Sequence, residues 1–331
     1  MRKQIFICSR AGPVVRNPKS ELQNPKSDAA FRDILTCLTP GRSAASRSKV
    51  TLSSLTRLPA ADAANVGRTP LITFGIPAYN RPHLLAETLA SIAGQTAAVD
   101  YEVIVCDDGG LPETAATVGR FDANRFFYHR NPVPLGAVRN WNECLRRARG
   151  RWVMILHEDD ALYPWYLALV LPHLRDQLAA ICTRTSVGPT MPVRPAPTSR
   201  SRGNAYRPAL FLSSSMSPFP GVLFPRELGL SLGGFDERAG PLADYDFWYR
   251  LACTGRIERI REVGAFYRVA DDQWTARAWP VMLRKVHLLR LRIARDQIRS
   301  PRLGRWLARF FTYRTALAYA RRFPEKPAGL A

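Results

Sequence analysis

The sequence predicts an α/β fold in which a doubly wound, mostly parallel sheet carries helices on both faces. Between residues 70 and 185, short β-rich apolar runs alternate with segments whose apolar residues recur at helical spacing. Carboxylates follow the ends of two apolar runs, at Asp107 and Asp108 and again at 157–160. Because ligands of open α/β sheets bind outside the carboxyl ends of the strands, a site is expected at this edge.

The first β-α-β unit sets the pattern. A strand is predicted at 71–76, and a helix follows Asn80, a capping residue type, with Pro82 in its first turn. A second strand is predicted at 101–106. Two strands joined by a helical crossover are expected to be parallel, with a right-handed connection.

The same alternation continues along the chain and is interrupted once. Before the interruption we predict helices at 113–119, 136–149 and 163–178 and strands at 126–129, 152–156 and 179–185. Residues 187–208 are rich in Pro, Ser, Arg and Gly, which indicates a long loop of the kind that often borders an active site. After the loop we predict strands at 220–224 and 256–269 and helices at 228–232 and 244–254.

The net charge of +21 lies in the two ends of the chain. Residues 1–68 hold 12 Lys or Arg against 4 Asp or Glu, and residues 274–331 hold 14 against 2, whereas residues 69–273 hold 22 against 21. A nucleic-acid-binding domain would be basic throughout, so no nucleic-acid partner is expected. The composition of 1–68 indicates disorder, and a functional basic arm or an over-extended gene start are the alternatives.

Residues 276–331 are predicted to form a basic amphipathic helical extension. Its apolar stripes are Met282, Val286, Leu289 and Ile293, and then Leu303, Trp306, Leu307, Phe310 and Phe311. Such helices suit peripheral contact with an anionic membrane surface, and the alternative is that they pack on the core and turn Arg to solvent. No apolar run reaches the ~18 residues of a transmembrane helix. We therefore expect a cytoplasmic protein, either free or peripheral on the inner face of the plasma membrane.

Several protein classes are disfavoured by the motifs that the sequence lacks. It has no GxSxG elbow, no GxxxxGK[ST] loop and no GxGxxG after the first strand, which argues against a serine hydrolase, a P-loop enzyme and a simple dinucleotide dehydrogenase. The six cysteines are scattered without a CxxC pair. This spacing argues against a zinc site and a disulfide framework and favours a reducing compartment.

The acidic cluster at 157–160 (HEDD) follows directly on the apolar run at 152–156. Adjacent carboxylates repel one another and are costly to bury, so a cation is expected among them. Mg²⁺ or Mn²⁺ commonly bridges carboxylates to phosphate oxygens. The alternative is a solvated acidic turn, and the metal site is favoured because Asp108 and Asp244 are expected at the same edge of the sheet.

Five motifs, in order, resemble the family 2 glycosyltransferases. They are residues 76–81 (IPAYNR), 101–109 (YEVIVCDDG), 150–160, 233–237 (GGFDE) and 243–248 (ADYDFW). The resemblance covers about residues 70–275 and implies an inverting enzyme with the GT-A fold, a Rossmann-like doubly wound sheet. It divides a domain at 69–275 into a nucleotide-binding half, 69–185, and a half for the acceptor and catalytic base, 209–275.

The resemblance also implies roles for individual residues. It assigns nucleotide binding to Pro77, Ala78, Tyr79, Arg81, Asp108, Arg139, Asn140 and Glu158. It makes Asp159 the ligand of a divalent metal, Mg²⁺ or Mn²⁺, and Asp244 the catalytic base. The sequence departs from the family pattern twice, since His157 replaces the first Asp of the metal-binding triplet and Ala270 stands where many relatives have a His. Both departures bear on how a metal is held.

The function implied by the resemblance is transfer of a sugar, with inversion, from a nucleotide-diphosphate sugar to a glycan, lipid-linked or other hydroxyl acceptor in polysaccharide or glycolipid synthesis. A carboxylate base would take the proton of the acceptor, and a metal would stabilise the leaving diphosphate. One alternative is a non-catalytic nucleotide-sugar-binding protein, which Asp159 and Asp244 disfavour. The other is a nucleotidyltransferase, which would need a Gly-rich, Arg-bearing loop after the first strand.

Overall fold

The structure is a computed structural model that describes residues 69–198, 203–216, 218–269 and 274–322. The predictions for residues 1–68 and for Ala270 lie outside the described residues.

The described residues form nine strands, eight α-helices and three short 3-10 helices. The strands are β1 (Ile72–Ala78), β2 (Tyr101–Asp107), β3 (Phe126–Arg130), β4 (Trp152–Ile155), β5 (Ala161–Leu162), β6 (Leu178–Gly188), β7 (Asn204–Ala205), β8 (Val222–Pro225) and β9 (Arg256–Arg268). The α-helices are α1 (Pro82–Ala93), α2 (Pro112–Val118), α3 (Ala137–Arg147), α4 (Tyr166–Val170), α5 (Arg226–Ser231), α6 (Ala243–Thr254), α7 (Trp274–Gln297) and α8 (Pro301–Arg322). The 3-10 helices are Leu171–His173, Pro208–Leu212 and Glu237–Leu242.

The strands form one sheet in the order β3-β2-β1-β4-β8-β6-β9-β5, with β7 paired to β9. The four strands at one side, β3-β2-β1-β4, are all parallel, as the β-α-β pattern predicts. β8 is antiparallel to both β4 and β6, and β6 and β9 are parallel again. The predicted α/β fold class is confirmed.

Two apolar clusters cover the two faces of the sheet. On β2, Val103 and Val105 belong to the cluster that includes the apolar side of α1, whereas Ile104 and Cys106 belong to the cluster that includes α3. Successive strand residues point to opposite faces, so a strand buried on both faces reads as a continuous apolar run. This is the doubly wound arrangement that the sequence predicts.

Gly75 allows α3 to approach the sheet closely. A Cβ at this position of β1 would lie 2.7 Å from the Cβ of Cys144 on α3, which is closer than real carbon atoms approach. The contact seats α3 directly over β1, and the N-terminus of α3 is thereby placed at the carboxyl edge of the parallel strands.

Two local predictions are wrong. The helix predicted at 163–178 is only α4 followed by the 3-10 turn Leu171–His173, because Pro172 removes a backbone donor and the chain then turns into β6. Asn80 does not cap α1; Arg81 holds the capping position and Asn80 has φ +59°. Asparagine is one of the few residue types that tolerate this left-handed conformation.

The C-terminal helices pack on the rest of the chain. On α7, the predicted stripe of Met282, Val286, Leu289 and Ile293 is buried in the α3-side cluster. α8 crosses α7 and contributes Ala308 to the same cluster. Among the described residues, no helix is both long enough and apolar enough to cross a bilayer.

Candidate active site

A cleft of about 770 Å³ opens at the carboxyl ends of β1, β2 and β4. The segment that starts at the end of β1, the residues just past β2 and β4, and the start of α6 all contribute to its wall. Nine of the ten predicted site residues line it, namely Pro77, Ala78, Tyr79, Arg81, Asp108, Asn140, Glu158, Asp159 and Asp244. Pro77 and Asp244, which are 167 positions apart in the chain, thus line the same cleft.

Arg139 is the predicted site residue that the structure does not place on this wall. Its side chain is 61% exposed, and its Nε lies 2.7 Å from Glu237 Oε2. Asn140 lines the cleft, and neighbouring residues of a helix point about 100° apart. The phase of α3 therefore turns Arg139 away from the cleft.

Arg81 joins two carboxylates of the acidic cluster. Its Nε donates to Glu158 Oε1 at 2.8 Å, and its Nη1 donates to Asp159 Oδ2 at 2.8 Å. The backbone N–H of Tyr79 donates to the other oxygen of Glu158 at 2.9 Å. Although burial alone would lower the pKa of Arg81, the two carboxylates raise it. Arg81 therefore supplies part of the positive charge that these adjacent acids require.

His157 and Asp160 carry buried polar atoms that lack a hydrogen-bond partner in the structure, His157 Nε2 and Asp160 Oδ2. Each of His157, Asp159 and Asp160 offers one ligand atom, and these atoms lie within 4.8 Å of one another. Such unsatisfied atoms are costly unless something binds them. Two carboxylates and one imidazole are a donor set that fits a divalent cation.

The protonation of these two groups is set by burial. Burial lowers the pKa of His157 to about 4, so the imidazole is neutral at pH 7, which is its metal-binding form. Burial, followed by the neighbouring charge of Asp159, raises the pKa of Asp160 well above its usual range. A divalent cation would counter both effects on the carboxyl group, since a nearby positive charge favours the ionised form.

Asp108 holds the loop between β3 and α3. Its carboxylate accepts hydrogen bonds from the backbone N–H of Leu135 at 2.7 Å and of Gly136 at 2.8 Å, and from the side chain of Asn131 at 2.8 Å. Asn140 in turn donates to the carbonyl of Cys106 at 2.9 Å. These bonds fix the wall of the cleft next to β2.

Asp244 stands in the first turn of α6. One carboxylate oxygen accepts the backbone N–H of Tyr245 at 2.7 Å, and burial raises the pKa of the group to about 6. A carboxylate with a pKa slightly below neutrality is ionised at pH 7 and is still basic enough to take a proton. The group therefore has the properties of a general base.

Aromatic side chains that the sequence did not single out for the site also line the cleft. Trp141 stacks on His157 with 5.4 Å between ring centroids, and Phe219 lies 4.5 Å from the same imidazole. Nothing in the sequence indicated a role for Trp141 in the cleft, because its position fits the apolar side of α3. Nothing indicated one for Phe219 either, because the segment Pro218–Phe219 matches none of the five motifs. Two prolines around one aromatic residue, at 218–220, are the only local signal that this loop is rigid.

The comparisons with known proteins agree with this geometry. The family model Glycosyl transferase family 2 matches residues 73–227, a span that holds every predicted site residue except Asp244. Residues 73–227 carry a family 2 glycosyltransferase domain. The family resemblance expected from the five motifs is thereby confirmed.

The relatives of this glycosyltransferase domain include chondroitin synthase from Escherichia coli. The two are 27% identical over 230 residues, which are 65% of this chain and 31% of the synthase. The chain spans between 20% and 64% of the length of the first sequence relatives that it matches.

Two solved structures show the same fold as the glycosyltransferase domain. S. aureus TarS 1–349 aligns with a TM-score of 0.57 at 15% identity, over 78% of this chain and 75% of that one. The mannosyltransferase PcManGT from Pyrobaculum calidifontis, in complex with GDP-Man and Mn²⁺, aligns with a TM-score of 0.53 at 20% identity, over 82% of this chain and 81% of that one. The predicted GT-A fold is confirmed.

Proposed function

We propose that this chain transfers a sugar from a nucleotide-diphosphate sugar to an acceptor hydroxyl, with inversion, in the synthesis of a polysaccharide or glycolipid. The observation that carries the proposal is that Asp244, a carboxylate with a pKa of about 6, shares one cleft with the cluster of Arg81, Glu158 and Asp159. TarS has been solved with UDP-GlcNAc and PcManGT with GDP-Man, which supports a donor of this chemical class.

The donor is assigned to the side of the cleft formed by β1, β2 and β4. Tyr79, Arg81 and Asp108 line this side, together with Asn140 at the first turn of α3. The backbone N–H groups at a helix N-terminus favour anionic groups such as a diphosphate. Arg81, already bonded to Glu158 and Asp159, would keep these carboxylates in place when the donor binds.

The acceptor is assigned to the side formed by α6. Asp244 takes the proton of the acceptor hydroxyl as its oxygen attacks the anomeric carbon from the face opposite the diphosphate. A single displacement of this kind inverts the configuration at that carbon. The acceptor is a glycan, a lipid-linked molecule or another compound with a free hydroxyl.

A divalent metal, Mg²⁺ or Mn²⁺, is the implied cofactor, and the residues present fit it. Asp159 would hold it, and the partnerless atoms of His157 and Asp160 make these two residues the further donors. When bound, such an ion stabilises the negative charge that develops on a leaving diphosphate. PcManGT was solved with Mn²⁺, which supports the same choice.

Replacing Asp244 tests the proposed reaction. In Asp244→Asn the amide cannot accept the proton, so turnover is expected to fall by about 10²–10⁴-fold, while donor affinity changes by less than about twofold. Donors that bind are first identified from a nucleotide-sugar panel that includes UDP-GlcNAc and GDP-Man, through the rise in unfolding temperature. Asp122→Asn, at an exposed carboxylate before β3, is the matched control. An Asp244→Asn enzyme with most of its turnover intact would rule out this base.

Replacing Asp159 tests the metal. In wild type, adding Mn²⁺ is expected to tighten nucleotide diphosphate binding, and EDTA should reverse this, because an ion held by Asp159 would supply positive charge to the phosphates. In Asp159→Ala the response to Mn²⁺ should fall at least tenfold, measured by calorimetry with the nucleotide alone, and in Asp122→Ala it should stay. Equal affinity of the wild-type protein with Mn²⁺ and with EDTA would contradict the metal site.

A further inference from the structure

The two sides of α8 have opposite characters. The side that packs against α7 is made of small residues, and Gly304, Ala308, Thr312 and Ala316 are buried there at intervals of four. Three large apolar residues point the other way: Leu303 is 49% exposed, Trp306 is 58% exposed and Phe310 is 40% exposed. We call Leu303, Trp306, Phe310 and the arginines beside them the outer α8 face.

Trp306 and Phe310 lie next to each other on this face. Their rings stack with 5.3 Å between centroids and 8° between planes. An amphipathic helix that only packs on its own core turns its large apolar residues inward. On α8, Leu307 and Phe311 pack on the core beside the small residues. Trp306 and Phe310 stay exposed, so this outward aromatic pair needs another explanation.

The charge of α8 has one sign. Pro301–Arg322 contains six arginines and no acidic residue. Five of them, Arg302, Arg305, Arg309, Arg314 and Arg321, are exposed. On a helical wheel, Arg302, Arg305 and Arg309 lie to one side of the direction of Trp306 and Phe310, and Arg314 and Arg321 lie to the other. The outer α8 face therefore combines a central apolar strip with positive charge along both margins.

The positive charge of the outer α8 face limits which partner can bind to it. A second copy of the chain would place the same arginines opposite one another. Residues 1–68 are also basic, with 12 Lys or Arg against 4 Asp or Glu, and would be repelled. A nucleic acid would use the arginines and leave the aromatic strip on a convex helix without a partner. A bilayer with anionic headgroups offers negative charge at its surface and apolar chains beneath it.

We propose that the outer α8 face binds the surface of an anionic membrane. Trp306 lies at the boundary between headgroups and acyl chains, where its amphipathic ring is most stable, Phe310 reaches the acyl chains, and the arginines contact lipid phosphates. The helix lies in the plane of the membrane and does not cross it. This interaction is separate from the proposed reaction, and it would hold whether or not the cleft transfers a sugar.

The test is flotation of the full chain with vesicles. We expect binding to phosphatidylcholine vesicles that contain about 30% phosphatidylglycerol, at least tenfold weaker binding to pure phosphatidylcholine, and loss of binding when NaCl is raised from about 0.1 to 0.5 M. Equal binding to both kinds of vesicle, or none to either, would overturn the proposal.

Paired variants locate the binding surface. Trp306→Ser with Phe310→Ser, and separately Arg305→Gln with Arg309→Gln, should each weaken binding to the anionic vesicles by about tenfold or more. The matched controls are Leu111→Ser and Arg120→Gln with Arg175→Gln, which remove exposed apolar area and two exposed charges elsewhere and should change binding less than twofold.

The variants are expected to stay folded because they alter exposed side chains, and thermal unfolding together with nucleotide binding checks this. Unchanged vesicle binding by both α8 variants would overturn the proposal. It would also be overturned if the arginine variant lost retention on double-stranded DNA while its vesicle binding stayed at the wild-type level.

Discussion

Burial acts in opposite directions on the two titratable groups whose charge decides what the cleft can do. It raises the pKa of Asp244 to about 6 and lowers the pKa of His157 to about 4. Desolvation disfavours whichever form is charged, so it favours the acid form of a carboxyl and the neutral form of an imidazole. Between pH 7 and 8, Asp244 is ionised and His157 is neutral, which are the forms that a base and a metal ligand need.

The rate should therefore depend on pH through Asp244. Below pH 6 the carboxyl is protonated and cannot take a second proton, so kcat/KM is expected to fall about tenfold per pH unit there and to stay level between pH 7 and 8. Initial rates measured from pH 4.5 to 8.5 with one donor check this. A rate that is unchanged down to pH 4.5 would contradict the assignment.

The stability contribution of Asp244 should change with pH in the opposite sense. Because its pKa in the folded chain is raised, the native state binds this proton more tightly than the unfolded state does. The resulting stabilisation is present below the unfolded pKa of about 4 and is lost as the pH rises through about 6. Loss of rate between pH 6 and 5 is therefore separable from unfolding by following both in the same buffers.

At the scale of single residues, the chemical groups of the cleft could be predicted from the sequence, whereas the contacts between their side chains could not. Motif order placed Asp159 and Asp244 at one cleft, since strand ends meet at one edge of a sheet. It did not separate Arg139 from Asn140, because a shift of one residue in the helix phase decides which side chain faces inward. It also did not show that Arg81 pairs with the acidic cluster, since the two are 77 and 78 positions apart and no local pattern links them.

Among the helices, α6 is held by one buried carboxylate. Asp246 Oδ2 accepts from Arg250 Nε at 2.6 Å on the same helix, and Asp246 Oδ1 accepts from Arg292 Nη2 on α7. Arg250 also donates to the carbonyls of Leu232 at 2.8 Å and Gly234 at 2.7 Å, in the turn that follows α5. This turn, α6 and α7 therefore meet at Asp246, two residues after the proposed base.

Removing this carboxylate should destabilise the fold. Asp246→Ala leaves two arginines without their shared partner, and we expect the free energy of unfolding to fall by about 2–4 kcal/mol, less than for a fully buried pair because both guanidinium groups reach solvent. Urea denaturation measures the change. Asp236→Ala removes a more exposed pair with Arg238 in the same region and should cost less than about 1 kcal/mol. Equal effects of the two variants would contradict this role of Asp246.

The lengths of helices with several turns of apolar spacing were predictable from the sequence. The lengths of short strands were poorly predictable, because a short strand is defined by the neighbouring strand with which it pairs. α1, α3 and α6 have several turns of apolar spacing, and their predicted and observed bounds agree within about two residues. β5 and β7 have two residues each and exist because β9 lies alongside them. A two-residue strand has no periodicity of its own, so its partner must be known first.

For the molecule as a whole, the alternation of strands and helices predicted the parallel strands but not the direction of β8. The parallel order β3-β2-β1-β4 follows from helical crossovers, each of which returns the chain to the same edge. β8 follows a long loop instead, and a loop returns a strand in either direction. Its antiparallel pairing with β4 and β6 is set by long-range contacts.

The uneven distribution of charge was also predictable at this scale. The near-neutral centre of the chain forms the sheet and the cleft, and the basic C-terminal segment forms α7 and α8. The sequence left two alternatives for that segment, packing and surface contact. In the structure α7 packs on the core, whereas α8 buries a row of small residues and exposes Trp306 and Phe310.

The change from parallel to antiparallel pairing between β4 and β8 has an evolutionary consequence. The acidic cluster follows β4, whereas Asp244 comes after β8, so the two halves of the proposed reaction lie on opposite sides of this boundary. Insertions in the segment before β8, where Pro218 and Phe219 line the cleft, can reshape the acceptor side while the register of β1, β2 and β4 is kept. A scaffold of this kind can acquire new acceptors by exchanging loops and still inherit its donor site unchanged.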